Sequence, residues 1–314
     1  MSVQLAMVSS ICLLIFFIVS GPPIPLAFAG AITFLVGAVG VDPRILLTTG
    51  YGNVKAYILV ALPLFILAGG LMSNGAIGDK LVQWIECFME KVRGGLIIVS
   101  VVSCALFGSV CGSGTATLTC IGSVLGPKLE ERNYPKGIYA AVLCCAAPLG
   151  LLIPPSGIQI ILAWSCNISV LGCFLAIVVP GVILCVMECL VGWFMIRTAP
   201  NLPATIHRTP GDWFKNFGMT TKGAIPAILM PVIILGGIYS GAFTPTEAAG
   251  VSCVYAVIVG MFIYKAMKLK TLIRTFKESA VTTGVMILLV FFATILSRIL
   301  TQENMPVIIL NALT

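Results

Sequence analysis

Two stretches of this sequence combine residue types and spacing that suit ligand chemistry. The first is "FGSVCGSGTATLTC", Phe107 to Cys120. Gly108, Gly112 and Gly114 permit a tight reversal of the backbone. Ser109, Ser113, Thr115, Thr117 and Thr119 supply hydroxyl oxygens. A helix-turn-helix tip at membrane depth exposes backbone carbonyls and amides, which is tolerated only where the tip is buried in protein or lines a wet cavity. Such a tip offers oxygen ligands to Na⁺ and a helix N-terminus to an anion. The same small residues also serve close helix packing, and this stretch alone leaves both uses open. Phosphate binding of the glycine-loop type would need a preceding strand, which is missing.

The second stretch is "APLGLLIPPSG", Ala147 to Gly157. Pro154 and Pro155 have no backbone N–H and clash with the preceding turn. The carbonyls near Gly150 to Leu152 are therefore expected to lose their helical donors. Ser156 and Gly157 restart a helix, with Ser156 as its N-cap. The product is a discontinuous helix whose free C-terminal and N-terminal ends face each other, the sequence pointer to a transporter's central site. A plain proline kink is the alternative. A third stretch, "GAFTPTEAAG" (Gly241 to Gly250), places Thr244 or Thr246 as an N-cap, Pro245 early in the helix and Glu247 at its positive end. A well-capped helix start accounts for it.

Other chemistries find little support. The twelve cysteines are scattered, mostly through apolar spans, with no C-x-x-C. "CC" at Cys144 and Cys145 and "CVMEC" from Cys185 to Cys189 lack paired metal-ligand spacing, so both read as small packing residues. The single histidine, His207, stands in a polar loop. Glu188 lies inside an apolar span without an evident partner, and Arg298 near the end of another. A membrane enzyme needs a cluster of titratable groups or a metal set, and the sequence offers none. No enzymatic activity and no cofactor are expected.

The elements that must position these motifs are membrane helices. Of 314 residues, 59% are hydrophobic and 9% charged, with mean hydropathy +1.10. A soluble domain carries about 25% charged residues. Helical spans of roughly 20 apolar residues are expected near 4–20, 24–40, 56–72, 171–196, 223–239, 246–264 and 279–299. The first run, Leu5 to Ser20, has no basic flank or small-residue cleavage site and reads as a retained helix. Residues 96–127 and 137–165 are uncharged but broken at their centres. The arms 96–110 and 115–127 are too short to cross singly and read as a re-entrant hairpin. Residues 77–92 form an amphipathic, interfacial helix, with Ile77, Leu81, Trp84, Ile85, Phe88 and Val92 on one face and Asp79, Lys80, Gln83, Glu86, Glu90 and Lys91 largely on the other.

The net charge of +7 sits in short loops, which fits the positive-inside rule rather than nucleic-acid binding. The loops 197–222 and 265–278 are basic and expected in the cytoplasm. Loop 127–136 is then inside, and 166–170, the loop 41–55 and the N-terminus outside. If 96–127 crossed once instead of returning, everything upstream would invert.

At this point the chain resembles the large membrane subunit of tripartite ATP-independent periplasmic (TRAP) transporters, the DctM-like permease. The matches are "PLFILAGGLMSNGAI" (63–77), "RGGL" (93–96), "GSGTATLTCIGSVLGP" (112–127), "IPPSG" (153–157), "VPG" (179–181) and "GGIYSGAFTPTEAAGVSCVYAVIVG" (236–260). They follow the family's order across most of the chain. The sequence departs from the family pattern at Gly70, often acidic there, at Thr117, often Asp, and at Ala147 and Pro148, usually Ser and Thr.

The resemblance implies an all-α polytopic membrane protein with an elevator-type inverted-repeat fold. It implies Na⁺-coupled import, into the cytoplasm across the bacterial inner membrane, of organic anions such as a C4-dicarboxylate, sialic acid or a related carboxylate. A periplasmic binding protein (DctP-like) would deliver the substrate, and a small four-helix membrane subunit (DctQ-like) would brace the scaffold. Carried onto this chain, the cation site implicates Ser113, Gly114 and Thr115, with Gly150, Pro154 and Ser156. The substrate site implicates Gly112, Ser113 and Ser156. The family continues for about a hundred more residues, with a second hairpin and a second broken helix. No second Pro-Pro follows residue 155 here, so the first repeat is expected complete and the second incomplete, as in a C-terminally truncated or split permease. A scaffold fragment that does not transport is the alternative.

The expected organisation is then scaffold helices at 1–76, an arm helix at 77–95 and half a transport domain at 96–165. A span with its basic loop follows at 166–222, and the start of the second repeat at 223–314.

Overall fold

The computed structural model describes residues 3–89, 92–197 and 210–305, and every regular element among them is a helix. In chain order these are α1 (Val3–Ser20), α2 (Ile24–Val39), α3 (Pro43–Val54), α4 (Ala61–Asn74), α5 (Ile77–Met89), α6 (Gly95–Cys111) and α7 (Gly114–Glu131). They continue as α8 (Lys136–Ala146), α9 (Leu149–Leu152), α10 (Gly157–Ser165), α11 (Val170–Arg197), α12 (Pro210–Tyr239), α13 (Pro245–Ile258, extended by a π-turn over Val259–Ile263) and α14 (Leu269–Gln302). Five of the helices are long and apolar enough to cross a membrane, and the bent pair Lys136–Leu152 with Gly157–Ser165 adds a sixth candidate. Their outward faces are greasy. Along α11, Val179, Val182, Ile183, Val186, Met187, Leu190 and Val191 are all more than half exposed. Exposed apolar surface on that scale is what lipid, not water, solvates. This is a multi-pass membrane protein.

The chain divides into two compact units, Met1–Leu59 with Val281–Thr314, and Val60–Ala280. The first has a core of Met7, Ile32, Leu35, Leu46, Ile295, Leu296 and Ile299. Its α3 corrects the expected loop at 41–55. Asp42 caps that helix by accepting from the Arg44 N–H at 2.9 Å, and Pro43 opens it. The cap signal was present in the sequence, but the helix is too polar to register as a span.

The second unit is built around α6, which is apolar on all sides and buried along nearly its whole length, as expected of a helix without a polar face. Around α6 pack α4, α5, α7, α8, α9 and α11. Helix α5 is amphipathic, and Ile77, Leu81 and Ile85 are buried as expected. Val82 and Cys87 are buried too, while Phe88 is 43% exposed. The polar face is not simply solvated, because Glu86 accepts from Lys128 at 2.7 Å and Arg132 at 3.0 Å, both on or next to α7. Helix α12 begins well before the expected span. Trp213 donates to the Cys87 carbonyl at 3.1 Å and stacks on Phe217, so aromatic packing on α5 extends the helix into the sequence expected as the basic loop 197–222. His207 and Arg208 of that loop lie outside the described residues. Helix α14 likewise absorbs part of 265–278, since basic residues do not stop a helix.

The motif at 241–250 resolves in favour of Thr244. Its hydroxyl accepts from the Glu247 N–H at 3.3 Å, and the Glu247 carboxylate accepts from the Thr244 N–H at 2.8 Å, a complete capping box with Pro245 at the first helical position. We expect Thr244→Ala to lower stability by about 1 kcal/mol, read from the melting of the purified protein in detergent. An unchanged melting curve would show that the box contributes nothing.

Candidate cation and substrate site

The hairpin turn is made by two residues. Gly112 takes a left-handed φ of 62° and donates its N–H to Gly108 O at 2.7 Å, closing α6. A side chain is strained at that φ. Ser113 then caps α7: its Oγ accepts from the Ala116 N–H at 3.4 Å and lies 3.2 Å from Thr115 Oγ1. The Thr117 and Thr119 hydroxyls donate to the Ser113 and Thr115 carbonyls one turn earlier, at 2.7 and 2.9 Å. The Ser109 hydroxyl likewise donates to Leu106 O at 2.8 Å on α6, so three of the five hydroxyls expected from the sequence are occupied by their own helices.

The break lies between α9 and α10, which the chain enters with a bend of 45°. Ile153 and Ser156 are extended, and the Pro154–Pro155 peptide bond is cis. Pro154, Pro155 and Ser156 are buried. Ser156 does occupy the N-cap position of α10, but its hydroxyl makes no capping bond. It is completely buried and its oxygen has no partner. The expected Ser156 cap is thus found in position but not in hydrogen bonding: its side chain accepts from none of the first-turn amides.

The freed carbonyls are also distributed differently from the expectation. Gln159, only 4% exposed, reaches back across the break, and its Nε2 donates to Leu152 O at 2.7 Å and Leu151 O at 3.1 Å. Of the three carbonyls from Gly150 to Leu152, two are therefore held by this one amide. The Gly150 carbonyl is the one whose i+4 donor would have been the nitrogen of Pro154. Sequence reasoning passed over Gln159. The available signal was a single amide side chain, one turn past a double proline, in an otherwise uncharged run.

Tip and break meet. A methyl group placed on Gly112 would lie 3.5 Å from both the Pro155 carbonyl oxygen and the Gly157 nitrogen, and 3.6 Å from Ser156 Cα. One on Gly114 would lie 3.4 Å from Ala147 O and 3.6 Å from the Leu151 side chain. Deeper in the unit, the backbones of Gly108 and Gly150 touch, since a methyl on Gly150 would come within 2.6 Å of Gly108 Cα. The structure thus brings Gly112 and Gly114 against the break that carries Gly150, Pro154 and Ser156. Ser113 and Thr115 bond to each other, and Thr115 is exposed. None of these residues is charged. Two helix N-termini, of α7 and α10, and the carbonyl end of α9 converge here, and Ser156, at the start of α10, carries an unpartnered buried hydroxyl. Such an arrangement suits a dehydrated cation held by oxygens, or an anionic group met by amides. Glu188, on α11, has one carboxylate oxygen buried without a partner.

The family model described as "Tripartite ATP-independent periplasmic transporter, DctM component" matches residues 11–314. The C4-dicarboxylate TRAP transporter large permease protein DctM of Pseudomonas aeruginosa is 34% identical over 281 residues, covering 90% of this chain and 64% of that protein. The protein of the same name from Vibrio cholerae is 35% identical over 277 residues, 82% of this chain and 60% of that protein. The ectoine TRAP transporter large permease protein TeaC of Halomonas elongata is 31% identical over 293 residues, 92% of this chain and 67% of that protein. The chain thus spans roughly two thirds of the length of these relatives.

Proposed function

Because the chain belongs to the DctM family of tripartite ATP-independent periplasmic transporter components, a family of transport proteins and not of enzymes, we propose that it serves as the permease subunit of a Na⁺-coupled importer of organic anions. The substrate is a carboxylate, a C4-dicarboxylate or sialic acid being the first to test. A periplasmic binding protein delivers it, a small four-helix membrane subunit braces the permease in the inner membrane, and the site moves by an elevator motion. The observation that carries this reading is the apposition of the Gly112 hairpin tip with the Pro154–Pro155 break. Irregular backbone at membrane depth is tolerated where it is buried in protein or lines a wet cavity, and the buried, unpartnered Ser156 hydroxyl beside it is the polar group a ligand or water would satisfy. Relatives named for C4-dicarboxylate and for ectoine support a transported organic solute while leaving its identity open.

The test is uptake of labelled succinate, with sialic acid in a parallel arm, by proteoliposomes holding the permease, the small subunit and the binding protein. Uptake should require an inward Na⁺ gradient; equal uptake in its absence would overturn the coupling. Ser113→Ala and Ser156→Ala should each raise the Na⁺ concentration for half-maximal uptake about tenfold, the equivalent of about 1.4 kcal/mol for one lost oxygen ligand. An unchanged Na⁺ dependence in both variants would remove these residues from the site.

A further inference from the structure

Gln159 bridges the two halves of the broken helix: its Nε2 donates to two of the three freed carbonyls, Leu151 O and Leu152 O. Its position is fixed on three sides. The side chain is almost fully buried, its own carbonyl accepts from the Cys173 thiol at 3.9 Å, and its nitrogen sits on the α9 end. Its Oε1 is buried with no partner, so the amide is held through its nitrogen alone. Leu151, one of the residues it holds, is also the residue whose side chain approaches the hairpin tip at Gly114.

A carbonyl that accepts a short hydrogen bond is a weaker ligand for an ion, because the donor competes for the same lone pairs. The number and field strength of the oxygens around an alkali cation set its selectivity, and larger ions take more of them. We propose that Gln159 is a specificity-determining residue of the cation site: by holding the Leu151 and Leu152 carbonyls, its amide limits the oxygens available at the break and favours Na⁺ over the larger K⁺. The proposal rests on the cation reading given above. It deepens that reading by assigning ion choice to a side chain whose nitrogen is engaged by the two carbonyls.

The experiment needs no transported substrate. The purified protein in detergent is melted across titrations of NaCl and KCl, with choline chloride holding the ionic strength constant. Wild-type protein should be stabilised at concentrations of Na⁺ about tenfold below those needed of K⁺. Gln159→Met keeps the bulk and removes the donor. It should melt lower in choline chloride, and the Na⁺-to-K⁺ ratio should fall to about threefold or less. Gln159→Leu also removes the donor in a smaller apolar side chain and should move the ratio the same way, which covers the case of a Met variant that does not fold. A lower melting temperature with an unchanged ion ratio in the variants would make Gln159 a structural clasp only and overturn the proposal while leaving the cation site standing. A wild-type protein stabilised by neither ion would overturn the cation site and this assignment together.

Discussion

Gly150→Ala is expected to lower uptake in the reconstituted assay of the proposed function by at least about tenfold and to destabilise the protein by about 1–3 kcal/mol, the usual cost of overpacking a close contact. The added methyl would lie 2.6 Å from Gly108 Cα, 2.9 Å from Thr117 Oγ1 and 3.3 Å from the Gly108 carbonyl carbon. Its principal obstacle is backbone, which no rotamer change can move aside. The helices α6 and α9 must therefore separate, and that separation propagates to the tip, where Gly112 sits against Pro155 and Ser156. Alanine at Gly108 meets the Gly150 backbone in turn and should behave alike. Gly122→Ala is the control: on α7 in the same hairpin, a methyl there meets nothing within 4 Å. Alanine at an unstrained helical position is neutral or stabilising by about 0.4–1 kcal/mol. Melting in detergent and reconstituted uptake read both effects. Wild-type behaviour of Gly150→Ala would show that the Gly108–Gly150 approach does not hold tip and break together.

Phe107→Ala is expected to cost more stability, about 3–5 kcal/mol, with the loss concentrated in the packing between α5 and α6. Phe107 is fully buried, and its ring passes so close to α5 that a methyl on Gly78 would come within 3.1 Å of it. In lipid the argument does not rest on water. The deleted ring leaves a cavity whose lining loses its dispersion partners. Phe107→Leu fills most of that volume and should recover more than half of the loss in a denaturation series. If the alanine variant melts within a degree of wild type, the ring is not a keystone of the α5–α6 contact. Na⁺ dependence of uptake, where enough folded protein remains, should be unaltered, since the ring lies one turn before the tip on the α5 side of α6 and supplies no ligand atom.

Much of the architecture was legible from composition and period. Apolar runs of span length became α1, α2, α4, α11, α12, α13 and α14, with starts and ends near those expected for most of them. The glycine cluster at Gly112–Gly114 and the double proline marked a turn and a break, because glycine and proline act on their own backbone whatever surrounds them. The capping box at Thr244 and Glu247 was legible for the same reason: all its atoms lie within three residues. The helix over Pro43–Val54 carries a local start signal in Asp42 and Pro43, but its residues are too polar for hydropathy to mark it.

Other features had no local signature. Glu86 belongs by period to the polar face of α5, yet it is bound to Lys128 and Arg132, 42 and 46 residues later. The contact of Gly108 with Gly150 joins two helices that nothing in their own spacing pairs. Ser156 looked like a cap, and only the fold turned its hydroxyl inward and left it without a partner.

The chain by itself determined where the backbone must break and which groups the breaks would release, since a missing N–H and a missing Cβ are covalent facts. Only the tertiary structure decided which of the released groups stay available. Gln159 covers two carbonyls across the break, and the Gly112 turn packs against Pro155 and Ser156. Those choices depend on burial and on distances between segments that folding brings together, and neither is a property of the segments alone.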